Sequence, residues 1–311
     1  MMKKFSKGFT LIELIIVMVM AAALSITVAV FISRPIISYK NVTARGELVD
    51  AADMVLRRMA RDIQQAVPNS IRVKTDPNNA QRIALEFLNI VEGMRYRGAL
   101  PGSYLNFTGT VTQFNVIGQF QYATTNATCM AGNCRVVVYN TGENDGGSIP
   151  TDNPTAGANV WSTVVAPTCM GGCIPAPGSV TISPVGTIVT LSNPSSQGLV
   201  TFSSGVQFAL ASPEQRVQIV DTPVTYICDV STNQITRYWN YTINSTQPTN
   251  PANAPLSSAS NAQLTKDVSV CTFMYTPGTS TRNGVITMTI TLTNTGGTVT
   301  LMRQVSVDNA P

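Results

Sequence analysis

The sequence predicts an α+β protein in which a long N-terminal helix packs on a predominantly antiparallel β-sheet head. An apolar run followed by a 3.6-residue periodicity fills the first 67 residues, whereas period-two alternation with frequent turn signals follows Pro68. Only 12% of the 311 residues are charged, and Thr, Asn, Ser, Gly and Pro dominate after residue 98. This composition favours an extracellular β-rich head over a cytosolic enzyme.

The N-terminal segment begins with the basic octapeptide MMKKFSKG, which precedes an apolar run at residues 9–32. A helix over these 24 residues would be about 36 Å long, enough to cross a bilayer with some tilt. An ordinary secretion signal has a shorter apolar core, and here apolar residues continue beyond the three alanines at 21–23. Glu13 is the one charged residue of the run, and an acidic residue at the centre of a membrane helix costs about 2.5–3.5 kcal/mol.

The second half of the predicted helix covers residues 34–67 and is amphipathic. We expect Pro35 to kink or break the helix at its start, and Pro68 to end it. Asp53 and Arg57 form an i,i+4 pair in the favourable order. We expect Arg57, Arg58 and Arg61 to form a solvated face, with an inter-subunit contact as the alternative. The predicted apolar stripe consists of Val42, Val49, Ala52, Leu56, Met59, Ile63 and Val67.

The remaining residues, 68–311, are predicted to form the β-rich head. Two long loops are expected at residues 142–157 and 245–262, which are rich in turn formers. The two last strands flank Asn294-Thr295-Gly296-Gly297 and predict a hairpin. Strands are predicted at residues 70–73, 82–88, 110–117, 135–140, 179–182, 187–191, 198–202, 224–230, 234–243, 269–276, 285–293 and 299–307.

Charge and residue types argue against nucleic-acid binding and catalysis. Residues 1–97 carry 14 Lys/Arg and 8 Asp/Glu (net +6), and residues 98–311 carry 6 and 8 (net −2), so the head offers no basic patch. The chain has no histidine, which removes the commonest general base and excludes Ser–His and Cys–His nucleophiles within it. We therefore expect neither an enzyme nor a bound cofactor.

Six cysteines, an even number, lie in the neutral part of the chain behind an export-type N-terminus, which favours disulfides. Two close pairs could each close a short glycine-containing loop, and the remaining two would join strand-like segments. Six cysteines allow 15 connectivities, and a zinc site is the alternative, although the spacing and the absence of histidine disfavour it. The pairs favoured by spacing are Cys129 with Cys134, Cys169 with Cys173, and Cys228 with Cys271.

The N-terminus resembles the class III leader of type IV pilins and pseudopilins. The resemblance implies cleavage by prepilin peptidase between Gly8 and Phe9, methylation of the new amino terminus at Phe9, and retention of residues 9–33 as membrane anchor and filament-core helix. Because i and i+4 share a helix face, Glu13 would neutralise the Phe9 amine of its own or a neighbouring subunit. The residues that carry the resemblance are Lys3, Lys4, Lys7, Gly8, Phe9, Thr10, Leu11, Ile12, Glu13 and Leu14.

Three head segments are similar to a minor pilin of the mannose-sensitive haemagglutinin (MSHA) pilus: AVPNSIRV at 66–73, VVVYNTG at 136–142, and the ending at 282–311. This resemblance implies a Gram-negative inner membrane, a periplasmic head and later exposure on a pilus. Its implied partners are prepilin peptidase, other minor pilins, the major pilin and an inner-membrane assembly platform.

Two alternatives stay open. A large minor pseudopilin of type II secretion shares the leader and the β-rich head, and that family can bind calcium, for which Glu143 and Asp145 are weak candidates here. The head of a pilus adhesin could instead bind glycans through aromatic side chains of RYWNY at 237–241. Strand alternation would place Trp239 and Tyr241 on one face, and we expect that face to pack in the core.

Overall fold

The computed structural model describes residues 10–143, 154–162, 178–278 and 282–307 of the chain. One helix, α1, spans Leu11–Gln64, and a single-turn helix, α2, spans Ala127–Met130. The strands are β1 (Arg72–Asp76), β2 (Asn79–Tyr96), β3 (Val111–Ile117), β4 (Arg135–Val137), β5 (Val189–Ser192), β6 (Gly198–Val206), β7 (Arg216–Asp229), β8 (Gln234–Trp239), β9 (Ser260–Thr265), β10 (Val268–Thr276), β11 (Gly284–Asn294) and β12 (Gly297–Val307).

The strands form two sheets, and every strand pairing within them is antiparallel. The larger sheet has the order β5-β6-β3-β2-β7-β8-β9, with β1 added to β2 and β4 added to β7. The smaller sheet has the order β10-β11-β12, and Asn294 pairs with Gly297 across its last turn. The predicted α+β class with an antiparallel head is therefore confirmed, as is the C-terminal hairpin.

Helix α1 is continuous through position 35, so of the two predicted outcomes at Pro35, a kink or a break, the break is wrong. A proline removes one backbone donor, but the hydrogen bonds on either side of it can carry a long helix past that point. The helix ends three residues before the predicted boundary, where the Gln65 N–H donates to the Asp62 carbonyl oxygen at 3.1 Å.

One face of the C-terminal half of α1 builds the main core together with both sheets. Two predicted stripe residues, Val42 and Val49, are exposed instead, and Leu48 and Val55 occupy the packed face. Each fully buried aliphatic side chain contributes roughly 1.5–3 kcal/mol, so this face fixes the helix on the head. The buried helix residues of this core are Leu48, Ala52, Val55, Leu56, Met59, Ala60 and Ile63, against Phe87, Tyr226, Met288 and Val305 among others.

A second core fills the part of the head built around β3, β6 and β4. Phe114, Phe202 and Phe208 form an aromatic group in it, with successive ring centroids 6.0 and 6.1 Å apart. Both Cys129 and Cys134 are buried in this core. Two smaller clusters, one around Trp161 and one around Leu256, complete the buried part of the described head.

The predicted strands differ from the observed ones where pairing with a neighbouring strand determines whether a segment is extended and where it ends. Residues 180 and 182 make only isolated bridges, and β8 ends at Trp239, four residues before the predicted end. Strand β9 begins inside the predicted loop at 245–262, because its pairing with β8 organises a segment with little alternation of its own. Most of the other predicted loop, residues 144–153, lies outside the described residues.

Two ion-pair groups inside the head were not predicted. Arg72 donates from Nε to Glu86 Oε2 at 2.7 Å, and both side chains are at most 3% exposed. Arg82 bridges Asp76 and Asp229, each at 2.8 Å. Burial raises the pKa of Glu86 despite the nearby Arg72 guanidinium. Burial would also raise the pKa of Asp229, but hydrogen bonds from Ser231 and Arg82 outweigh it and lower that pKa.

Candidate functional site

The first turn of α1 contains the acidic residue that sequence reasoning singled out. Thr10 is the N-cap, and its Oγ1 accepts a hydrogen bond from the Glu13 N–H at 3.4 Å. Thr10 and Glu13 have the spacing of a capping box, a sequence signal that offers Glu13 a local role besides the predicted one. A carboxylate in the first turn is also favoured by the helix dipole. Gly8 and Phe9, the predicted cleavage and methylation residues, lie outside the described residues.

Among the described side chains, none in the N-terminal half of α1 is buried against the head. Every side chain described between Leu11 and Thr43 is exposed, and the first partly buried one is Ala44. This free portion is about 50 Å long at 1.5 Å per residue. Among the described residues, α1 is the one helix long and apolar enough to cross a membrane. Its apolar surface therefore needs lipid or other helices as a partner.

Hydroxyl side chains inside the apolar run are satisfied by the helix itself. Ser25 donates from Oγ to the Ala21 carbonyl oxygen at 2.7 Å, and Thr27 donates from Oγ1 to the Ala23 carbonyl oxygen at 2.8 Å. Such i−4 bonds remove the cost of an unpaired hydroxyl in an apolar medium. The Glu13 carboxylate has no comparable partner among the described residues, and it remains the polar group of this segment that needs one.

Asp62 ties the packed half of α1 to the sheet and was missed by the sequence analysis. Its Oδ2 accepts hydrogen bonds from Tyr226 Oη and Arg237 Nε, both at 2.7 Å, while Arg58 Nε lies 3.2 Å from Oδ1. Burial first, and then the Asp62 charge, raises the pKa of the Tyr226 hydroxyl. The i,i+4 spacing to Arg58 was readable in the sequence, but the contacts across to β7 and β8 were not.

The helix arginines divide into paired and unpaired groups. Arg57 Nε lies 2.6 Å from Asp53 Oδ2, so the predicted i,i+4 pair is present, and both side chains are substantially exposed. Arg58 pairs with Asp62 and is about half exposed. Arg61 is exposed and has no ion pair with a described residue. The three arginines are thus exposed, which fits both a solvated face and an inter-subunit contact.

Two disulfides are present in the described part of the chain. Cys129 is bonded to Cys134, which closes the short loop behind α2, and Cys228 on β7 is bonded to Cys271 on β10. The second bond links the larger sheet to the smaller one. The remaining pair from the sequence analysis, Cys169 with Cys173, lies outside the described residues.

The weak calcium candidate is only partly described. Glu143 is exposed, and its backbone carbonyl oxygen accepts hydrogen bonds from the Thr155 N–H and from Asn159 Nδ2, both at 3.0 Å. Asp145 lies outside the described residues. Within the described ranges, no group of three or more acidic or cysteine side chains is arranged to hold a metal ion.

The aromatic segment RYWNY does not follow simple strand alternation. Asn240 adopts a left-handed backbone conformation, with φ of 61°, so Tyr241 turns back to the side of Tyr238 and both tyrosines are buried together. The prediction that Trp239 shares a face with Tyr241 is therefore wrong. Trp239 is half-buried beside Arg237 and borders an open cleft of about 740 Å³, which Arg135 and Asp221 also line.

The helix and the head together define a class of protein: an apolar helix that projects freely from an antiparallel β-rich head on which its second half is packed. Residues 3–29 match the prokaryotic N-terminal methylation motif, which covers the basic octapeptide and most of the apolar run. The motif and the fold together support a type IV pilin-like protein that is a substrate of prepilin peptidase. No curated protein and no solved structure matches the chain.

Proposed function

We propose that this chain is a minor pilin of an MSHA-type pilus, similar to MshO, with a structural rather than a catalytic role. Prepilin peptidase cleaves it between Gly8 and Phe9 and methylates Phe9. The subunit then leaves the inner membrane for a fibre, where it takes part in priming or tip formation with the major pilin, other minor pilins and the inner-membrane assembly platform. The observation that carries the proposal is the methylation motif at residues 3–29, which continues as an exposed apolar helix fixed to a large head.

Glu13 supplies the driving contact in this proposal. After cleavage, the new amine of Phe9 stands one helical turn from the Glu13 carboxylate, and an ion pair is weakly screened in an apolar medium. In lipid, the negative charge of Glu13 is only partly neutralised by the amine of its own chain. This favours transfer of the helix to a bundle of subunit helices, where a second positive amine is available. The pair therefore acts as an assembly signal rather than as an anchor.

A substitution at Glu13 tests this step. We expect Glu13→Val to stay in the membrane while its amount in purified fibres falls at least about tenfold, which corresponds to the loss of roughly 1.4 kcal/mol of assembly free energy. Glu47→Val is the matched control, because Glu47 is an exposed carboxylate of the same helix outside the apolar run. Normal incorporation of the Glu13 variant would contradict the proposed role of the carboxylate.

Mass spectrometry of the protein from purified pili tests the function as a whole. We expect a mature chain that begins at methylated Phe9 and is present in far fewer copies than the major subunit. A chain that begins at Met1, or one cleaved after the alanines at 21–23, would refute the pilin assignment. High abundance would refute the minor-subunit role.

Two other functions make different predictions in the same experiments. A minor pseudopilin of type II secretion would be recovered with a secretion complex and not with pili. A tip adhesin would bind glycans through its head, and the open cleft beside Trp239 is the place on the described surface that favours this reading. A glycan array probed with the full chain and with Trp239→Ala separates an adhesin from a scaffold, because only an adhesin gives signals that the variant loses.

A further inference from the structure

The last strand of the head has one unpaired edge beside the helix. Strand β12 pairs with β11 alone, and no second strand lies against it in the described part of the chain. At 3.4 Å per residue its 11 residues span about 37 Å; Arg45 of α1 lies against Gly297 at the start of the strand, and the open part of the edge is at residues 303–306. Unpaired N–H and C=O groups along such an edge are a template for another strand.

A groove runs between this edge and the packed half of α1. Residues 303–306 form one wall, and a helix stripe that includes Met54, Arg57 and Arg61 forms the other. The groove has a volume of about 470 Å³, within the range of roughly 300–1,000 Å³ typical of ligand sites. Met54 is 69% exposed, so an apolar side chain is available in the groove as well as charge.

The charge of the groove is positive. Arg57, Arg61 and Arg303 all line it, and Asp53 is the carboxylate that meets them, 2.6 Å from Arg57 and 3.9 Å from Arg303. Three guanidinium groups against one carboxylate leave a surplus of two positive charges. An occupant with acidic side chains would therefore be favoured over a neutral or basic one.

Edge strands are commonly protected by a charged side chain, and Arg303 alone could serve that purpose. Protection of an edge does not require further cations on the neighbouring element. Here the helix adds Arg57 and Arg61 at i,i+4 spacing on the side that faces the edge, and Arg61 has no ion pair with a described residue. The groove therefore combines an unpaired strand edge, which can pair with another backbone, with arginines that favour acidic side chains on that backbone.

We propose that the free edge of β12 and the basic helix stripe together bind an extended, acidic segment of a neighbouring subunit by strand addition. Backbone pairing with β12 gives affinity, and the arginines select carboxylates at alternate positions of the added strand. The inference rests on the proposed function, since it identifies the chemistry of a partner in the same fibre. It predicts head contacts that do not depend on the apolar helix.

Site-specific photocross-linking of the full chain in its native cells tests the contact. The cross-linking residue replaces Ser306 in the groove, Met274 on the far strand of the same sheet, or Val17 on the exposed apolar helix. We expect the position 306 probe to link to another pilus subunit, and tandem mass spectrometry to place the linked residue in an extended segment with alternating acidic side chains. The Met274 position should give at least about tenfold less of this product.

The Val17 position distinguishes a failure of strand addition from a failure of the proposed pilin function. Links from position 17 to other subunits, without links from position 306, would overturn strand addition while leaving the pilin function intact. An absence of links from both positions would overturn both proposals. Links from position 306 to a helix or to a lysine-rich segment would overturn the proposed chemistry of the partner.

Charge variants test whether the arginines select the partner. In a chain with the position 306 probe, the double substitution Arg57→Glu and Arg61→Glu should reduce the cross-linked product at least about tenfold, because it reverses the charge of one groove wall. The matched pair Arg57→Lys and Arg61→Lys should keep the product within about threefold, since the charge is retained. Equal amounts of cross-linked product from the double Glu variant and the double Lys variant would refute recognition of acidic side chains. Arg303 would then serve only to prevent other strands from pairing with the edge.

Discussion

Replacement of Asp62 by alanine is the sharpest test of how the helix is held on the head. The variant removes an acceptor that is 13% exposed and leaves the Tyr226 hydroxyl and the Arg237 guanidinium without their partner. Removal of one member of a fully buried ion pair costs about 3–5 kcal/mol, and hydrogen bonds to a charged group contribute about 1.5–3 kcal/mol. The partial exposure of Asp62 and Arg237 reduces the effect, so we expect a loss of about 2–3 kcal/mol in the free energy of unfolding.

Thermal unfolding of the full chain in detergent, followed by circular dichroism, measures this loss. For domains of this size it corresponds to a Tm lower by roughly 5–10 °C. Asp53→Ala is the matched control, because it breaks an exposed pair with Arg57 on the same helix and should cost at most about 1 kcal/mol. Tyr226→Phe removes one donor to the Asp62 carboxylate and should cost about 1.5 kcal/mol, the lower end of the range for a hydrogen bond to a charged group. Equal Tm values for the Asp62 and Asp53 variants would refute the argument that Asp62 fixes the helix.

Three further predictions concern the head. The double variant Cys228→Ser and Cys271→Ser removes a disulfide with a sequence separation of 43 residues, and by the loop-entropy relation it should lower the free energy of unfolding by about 4 kcal/mol. Loss of the disulfide between Cys129 and Cys134 should lower it by about 2 kcal/mol, because that loop is short. Urea unfolding midpoints compare the two variants, and a larger effect for the short loop would contradict the relation here. Glu86→Leu should cost about 3–5 kcal/mol because it leaves the buried Arg72 charge without a carboxylate and the Tyr241 hydroxyl without its acceptor. Adding Arg72→Met should recover part of the loss, and an additive double variant would contradict the pairing. Asp229 has a lowered pKa in the folded protein, so its contribution to stability is present above about pH 4 and is lost as the pH falls through the folded pKa. The difference in unfolding free energy between the wild type and Asp229→Asn, measured by urea unfolding, should therefore shrink below about pH 4. A difference that stays constant with pH would refute this linkage.

The sequence was most informative where one local signal was enough. The apolar run, the 3.6 period and the turn before the last strand predicted the helix, the antiparallel head and the final hairpin. The break at Pro35 was wrong because a single proline removes one bond from a ladder of many. Val42 is exposed because the head begins to cover the helix only near Leu48, and Val49 is exposed because the packed face runs through Leu48, Ala52 and Val55.

The parts that were missed depend on long-range contacts. Asp62 gains its role from two strands that lie more than 160 residues away along the chain, and no local pattern announces them. Strand β9 forms because it pairs with β8, and Tyr241 is buried because the left-handed backbone of Asn240 turns it back toward Tyr238. Glu13 is different, since its capping-box spacing with Thr10 was visible in the sequence beside the signal that was used.

Under the proposed function, one carboxylate decides whether the long apolar helix stays in lipid or enters a fibre. Lipid chains are as apolar as leucine, so a helix that leaves the bilayer for a bundle of similar helices gains little hydrophobic free energy. Packing and polar contacts then decide the equilibrium, and Ser25 and Thr27 contribute little to it because they already bond to their own helix. In the proposed fibre, which would offer a second amine, Glu13 is then the group whose free energy should differ most from its value in lipid. Its substitution should therefore change assembly without changing insertion, since the rest of the apolar surface is equally satisfied in both places.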